Sequence, residues 1–129
     1  MTAGLPDDVH RFILSSIESV EQLEVLLLMQ GAPDTSWTPE AIAQELYSTP
    51  SSIRGRLDAL SRQELVVPEG STAAFRYHPT SAALAATINR VAECYRQRRV
   101  AVITLIASKP LENVRAFSDA FRLRKKDRD

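Results

Sequence analysis

The chain has a single cysteine, no net charge and no long hydrophobic run, and the first and the last of these each exclude a class of protein. A lone Cys94 cannot form an internal disulfide, which indicates a reducing compartment. The longest apolar run, residues 100–107, is far too short to span a bilayer, and no signal peptide precedes the first polar residues. We therefore expect a soluble, cytoplasmic protein without a membrane partner.

Motifs for catalysis are also scarce. With four glycines in 129 residues, the sequence contains no glycine-rich phosphate loop, and it has no serine-centred nucleophile motif. His10 and His78 are lone histidines without companions at metal-ligand spacing. Cys94 falls within an apolar helical pattern, which favours a packed residue over a nucleophile. The sequence predicts neither an enzyme nor a cofactor or metal site.

The absence of net charge conceals an uneven distribution. Residues 1–48 carry one basic and eight acidic residues, whereas residues 49–129 carry fifteen basic and eight acidic residues. Such a split favours an anionic partner on the basic side, as DNA would be. An equally acceptable interpretation is that the two halves of the chain attract one another.

The segment 39–63 has the sequence form of two helices joined by a tight turn. Thr38 and Thr49 can each cap a helix, and each is followed by a proline at the first helical position, where the missing N–H costs nothing. The second helix carries an apolar stripe at i, i+4, i+7 spacing, formed by Ile53, Leu57 and Leu60. This pattern is typical of a helix-turn-helix and makes nucleic-acid binding the first hypothesis.

Two short strand candidates follow, over residues 65–67 and 73–77, with a glycine-containing turn between them. Ser36 and Trp37, just before the first helix cap, can supply a small third strand. The sequence therefore predicts a mainly α fold with a small β-hairpin wing. A winged helix-turn-helix domain is expected over residues 1–80, with its wing at 65–78.

Several features of this segment recur together in one known family. They are the Thr-Pro-Ser-Ser-Ile helix start at 49–53, the Leu-x-x-Leu spacing of the second helix, the Leu-Val pair before the hairpin and the Tyr-His-Pro-Thr exit at 77–80. In these features residues 37–80 resemble the DNA-binding core of the MarR-like bacterial winged-helix regulators. Tyr47 stands where that family commonly has a turn glycine, and Glu64 stands where it usually has the glycine before Leu-Val.

An inward apolar stripe turns the opposite face of residues 50–62 outward, so we expect this segment to be the recognition helix. The candidate contacts to phosphates or base edges are Ser51, Ser52, Arg54, Gly55, Arg56, Arg62 and, on the wing, Arg76. Gly55 costs about 0.8–1 kcal/mol relative to alanine inside a helix, which suggests that its lack of a side chain is required. Asp58 on the same face is unfavourable near phosphates, and Arg54 can instead pair with it.

Two helices are expected before this motif. Ser19 and Gln22 form a capping-box candidate for the second, which should end at Gly31. Residues 25–29 are apolar on every side, which predicts a place at the centre of the domain or in a subunit interface. The first helix should open at residues 5–8 and bury Val9, Phe12, Ile13 and Ile17.

Residues 81–129 are expected to form long C-terminal helices that dimerise the protein. Thr80 caps a predicted helix of about 25 residues, whose apolar stripe extends past a small core and needs a partner surface. A second copy of the chain is the expected partner. A buried strand over residues 100–107 is the competing interpretation of that part. The predicted dimerisation residues are Leu84, Ile88, Val91, Tyr95, Val102, Leu105 and, in a second amphipathic segment, Phe117 and Phe121.

Two functions are compatible with these features. The first is a homodimeric DNA-binding transcriptional regulator that inserts residues 50–62 into the major groove of double-stranded DNA. The alternative is a winged-helix protein–protein interaction module without sequence-specific DNA binding, in which the acidic first half or the C-terminal helices bind another protein. The short wing, the zero net charge and the outward Asp58 favour the alternative.

Overall fold

The computed structural model describes residues 4–109, which form a mainly helical fold with one small antiparallel sheet. The sheet pairs β1 (Val66–Pro68) with β2 (Phe75–Tyr77), so that Val66 lies opposite Tyr77 and Pro68 opposite Phe75. The helices are α1 (Asp7–Ser16), α2 (Val20–Gln30), α3 (Pro39–Leu46), α4 (Pro50–Arg62), α5 (Ala82–Gln97) and α6, which covers 99–109 within the described part.

Most of the helices begin at a hydroxyl-bearing residue that satisfies an otherwise unpaired backbone N–H. The side chains of Ser19, Thr38 and Thr49 accept hydrogen bonds at the starts of α2, α3 and α4, as predicted. The cap of α5 is Ser81 and not the predicted Thr80. Ser81 has the extended backbone that a cap needs, and its hydroxyl accepts from the backbone N–H three residues further on.

The hydrophobic core lies where the helices converge, and α2 runs through its centre. Leu23, Val25, Leu26 and Met29 of α2 have no exposed surface, which confirms a central position for this helix. The predicted inward stripe of α4 is equally buried, since Ile53, Leu57 and Leu60 have no exposed surface either. The apolar pattern of the sequence therefore correctly indicates the central position of α2 and the inward face of α4.

The C-terminal part of the described residues does not form the single long helix that the sequence predicts. The helix is interrupted at Arg98, whose backbone (φ −132°, ψ 49°) is not helical, and α6 starts at the next residue. Residues 100–107 are helical, so the strand interpretation is wrong. A straight helix would carry Val102 and Ile106 away from the core, whereas the break returns both side chains to it. Within residues 4–109 no helix is long and apolar enough to cross a membrane.

The chain itself covers much of the stripe that we assigned to a dimer interface. Ile88 and Val91 have no exposed surface, because α5 packs on α1 and α2. Val102 of α6 is also fully buried, and all three side chains join the common core. Periodicity alone shows that such a stripe needs a covering surface and does not show which surface supplies it. Three other predicted dimerisation residues, Leu84, Tyr95 and Leu105, stay partly exposed. The last two, Phe117 and Phe121, lie outside the described residues, as does the whole second amphipathic segment.

The two positions at which the sequence departs from the family pattern keep a glycine-like backbone. Tyr47 (φ 54°) ends α3, and Glu64 (φ 63°) lies between α4 and β1. A residue with a Cβ pays roughly 1–2 kcal/mol for this left-handed conformation, which glycine adopts freely. The packing and hydrogen bonds around these two turns therefore hold the left-handed backbone, which the residues at the two positions do not favour by themselves.

Replacing Glu64 by glycine should raise the free energy of unfolding by about 1 kcal/mol, because the left-handed backbone then carries no steric penalty. Urea denaturation measures this change. The matched control is Glu45→Gly, which makes the same replacement at an exposed position of α3 and should lower the free energy of unfolding by up to about 1 kcal/mol. A loss of stability in Glu64→Gly would contradict the assigned conformation.

Candidate nucleic-acid interface

The helix α4 divides into a buried face, an exposed face and a flank held against α2. Its exposed residues include small, acidic and basic side chains, so that no single charge dominates this surface. Ser52 and Arg56 are only partly exposed, because both bind to α2. The exposed members are the predicted outward residues Ser51, Gly55, Asp58 and Arg62, together with Arg54, which the sequence places on a flank of that face.

One carboxylate fixes the position of α4. Glu21, in the first turn of α2, accepts hydrogen bonds from the hydroxyls of Ser48 and Ser52, with O···O distances of 2.6 and 2.5 Å. It also accepts from Nε of Arg56 at 2.9 Å. These bonds connect α2 both to the turn before α4 and to the first two turns of α4. No local pattern in the sequence indicates this role of Glu21, because its partners lie 27 to 35 residues further along the chain.

The same contacts favour the charged form of Glu21. The hydrogen bonds from Ser48, Ser52 and Arg56, in that order of size, lower the pKa of the Glu21 carboxyl, while partial burial opposes them. Arg56 is thereby directed towards α2 and away from the exposed face. The sequence predicts Arg56 to be a DNA contact, whereas in the structure its guanidinium is bound to Glu21.

Arg54 lies on the exposed side and pairs with α3. Its guanidinium nitrogen is 3.0 Å from an oxygen of Glu40, and the two side chains are 57% and 60% exposed. The partner is therefore Glu40 and not the Asp58 considered from the sequence. An ion pair this exposed contributes about 0–1 kcal/mol, so Arg54 can exchange its carboxylate for another anion at little cost.

The β1–β2 hairpin stands beside α4 and contains one of the predicted contacts. The backbones of Trp37 and Phe75 exchange two N–H···O bonds of 2.8 Å, so the predicted third strand is present as a single bridge. On the hairpin, Glu69 accepts from Ser36 at 2.7 Å and from Arg76 at 2.6 Å, and these bonds lower the pKa of its carboxyl. Arg76 is exposed but paired.

Much of the charge split is balanced within the fold. Among residues 4–109 there are six ion pairs, and four of them join an acidic residue of 1–48 to an arginine of 49–129. These are Arg54–Glu40, Arg56–Glu21, Arg90–Asp8 and Arg99–Glu24. The mutual attraction of the two halves, considered from the sequence, is thus a feature of the structure. Arg62 has no ion pair with another described residue.

The other candidate reactive groups stay apart from this surface. Cys94 is partly buried on α5, and burial raises the pKa of its thiol, which disfavours the reactive thiolate. Within the described residues no three His, Cys, Asp or Glu side chains are grouped closely enough to hold a metal ion.

Comparisons of this chain with protein-family models, with curated proteins and with solved structures find no match. The similarity of residues 37–80 to MarR-like regulators therefore rests on the sequence features given above.

Replacing Glu21 by glutamine should lower the free energy of unfolding by about 1 kcal/mol at pH 7, because a charge-assisted network loses its charge. The folded-state pKa of Glu21 lies below its ordinary value of 4.5. Its contribution is therefore complete above that value and disappears as the pH falls through the folded-state pKa. Denaturation of both proteins between pH 7 and pH 3 should show their difference shrinking on acidification.

The matched control is Glu93→Gln, which removes an exposed ion pair with Arg96 on α5 and should change stability by less than about 0.5 kcal/mol. A Glu21→Gln protein as stable as wild type at pH 7, or a difference independent of pH, would contradict the role given to Glu21.

Proposed function

We propose that this chain is a DNA-binding transcriptional regulator with winged helix-turn-helix architecture. In this proposal α4 is the recognition helix, the β1–β2 hairpin is the wing, and the functional unit is a homodimer on double-stranded DNA. The order of α3, turn, α4 and hairpin supports it, as does the exposure of one whole face of α4. For the homodimer, Leu84, Tyr95 and Leu105 are the predicted interface residues that keep some exposed surface in the described part of the chain, although all three also pack against its core.

The observation that carries the proposal is Gly55. It lies in the middle of α4, and a Cβ added there would meet no atom within 4 Å. No packing among residues 4–109 therefore requires a glycine, although glycine weakens a helix by about 0.8–1 kcal/mol relative to alanine. A glycine on the exposed face instead lets the helix backbone approach an external surface closely. The major groove, which admits an α-helix, is such a surface.

The electrostatics of α4 suit an exchange of partners. The exposed pair of Arg54 and Glu40 is weak in water, whereas a phosphate or guanine can accept two parallel bonds from the same guanidinium. Glu21 meanwhile holds Arg56 and Ser52, so that α4 is presented in one orientation. A fixed helix loses less freedom on binding, which favours affinity.

A protein-interaction module is the second candidate, and one observation favours it. Each of the predicted contacts Arg54, Arg56 and Arg76 is paired with a carboxylate, and Asp58 is exposed among them. These carboxylates weaken the attraction of this surface for phosphates. A module that binds another protein through a surface of mixed charge has no need of a positive field.

Fluorescence anisotropy on labelled duplexes from the region upstream of its own gene tests the proposal, with scrambled duplexes as reference. Wild type should bind the native duplex more tightly, and affinity should fall steeply with salt. Arg54→Ala should weaken binding by about tenfold, the loss typical of a good contact to a base or phosphate.

The control for this test is Arg96→Ala, which removes a comparably exposed arginine–glutamate pair from α5 (67% and 49% exposed) and should bind DNA as wild type does. Absence of binding at low salt would overturn the DNA proposal in favour of the protein module. Equal losses in both variants would remove Arg54 from the interface.

Gly55→Ala separates stability from binding. It should raise the free energy of unfolding by about 0.8–1 kcal/mol, because α4 gains helix propensity and the added methyl meets nothing. The same methyl should weaken duplex binding, since it keeps the helix backbone away from the groove. Thermal unfolding and anisotropy on one sample measure both effects.

Thr104→Ala on α6 is the control, because it raises helix propensity at an exposed position away from α4 and should leave duplex affinity unchanged. A Gly55→Ala protein that is stabilised and binds the duplex undiminished would show that α4 makes no close backbone approach.

A further inference from the structure

Tyr47 combines an exposed aromatic ring with an unfavourable backbone. The residue is 97% exposed and lies in the left-handed conformation (φ 54°, ψ 46°) at the end of α3. Its side chain makes no hydrogen bond, ion pair or ring contact with another residue in the described part of the chain. Within residues 4–109, the phenol therefore has no structural role.

Both properties of Tyr47 are unfavourable for the isolated protein. A glycine would relieve the backbone, and a polar side chain would remove an exposed aromatic surface. Glu64, the other described non-glycine residue with a positive φ, is exposed too, but its side chain is polar and presents no aromatic ring. Tyrosine at this turn is therefore best explained by a contact that forms only with another molecule.

The turn that carries Tyr47 is held rigidly against the rest of the motif. The backbone N–H of Ser48 donates to the carbonyl of Ala43 at 2.9 Å, and the Ser48 hydroxyl donates to Glu21. Tyr47 thus projects from a fixed point two residues before Thr49, which caps α4. The exposed Ser51 follows in the first turn of that helix.

We infer that Tyr47 contacts the sugar-phosphate backbone of the duplex, with its hydroxyl donating a hydrogen bond to a phosphate oxygen. This inference rests on the proposed function, in which α4 enters the major groove and the turn before it lies at the rim of that groove. Tyrosine hydroxyls are among the side-chain donors that bind phosphates and fix the register of a protein on DNA. The contact would position α4 without reading sequence.

Two variants test the contact by anisotropy on the native and scrambled duplexes. Tyr47→Phe removes only the hydroxyl, and Tyr47→Gly removes the side chain and relieves the backbone. Each should weaken binding to both duplexes by about three- to tenfold, the usual effect of one lost hydrogen bond. Thermal unfolding should show neither variant to be less stable than wild type. Glu64→Gly, which relieves the same backbone conformation at the other end of α4, should not weaken binding.

The outcomes separate this inference from the function on which it rests. If wild type binds DNA and both variants bind equally well, the contact is overturned and the DNA proposal stands. If Tyr47→Phe binds as wild type does while Tyr47→Gly is weakened, the hydroxyl–phosphate bond is overturned in favour of a contact by the ring. If wild type shows no salt-dependent DNA binding, both proposals are overturned.

Discussion

The position of α4 depends on the carboxylate of Glu21. Three hydrogen bonds from Ser48, Ser52 and Arg56 converge on it and fix both the turn and the first half of α4 against α2. The apolar stripe of α4 determines which face is buried, but hydrophobic contacts are non-directional and allow some rotation and sliding. The directional bonds to Glu21 select one rotation, and that rotation leaves Gly55 at the centre of the exposed face.

Ion pairs between residues 1–48 and residues 49–129 hold the helices of the fold together and leave fewer of these arginines unpaired for a partner. Arg90 with Asp8 and Arg99 with Glu24 attach α5 and α6 to α1 and α2. The same chemistry pairs Arg56 on α4. This pairing weakens the long-range positive field, so DNA binding in our proposal relies on short-range contacts with phosphates and base edges, at which an exposed arginine exchanges its carboxylate for DNA.

Local signals in this sequence could be interpreted correctly, and long-range ones could not. The caps Thr38 and Thr49 were predictable because a cap acts on an N–H only a few residues away. No proline or glycine marks the break at Arg98, so the sequence predicts one long helix there, and the packing of α6 on the core accounts for the break. The burial of Ile88 by α1 and the bonds to Glu21 connect residues far apart in the chain, and helical periodicity carries no information about such pairs. At the candidate site, the sequence showed which residues face outward and did not show which arginines already have partners.

The central claim is that α4 and its turn bind double-stranded DNA, and amide chemical-shift mapping tests it most directly. A duplex from the region upstream of the gene would be titrated into isotope-labelled protein at low and at moderate salt. We expect shift changes concentrated in residues 47–58 and in the hairpin loop 69–74, and smaller changes as salt rises. Changes confined to α5 and α6, or no changes at low salt, would contradict it.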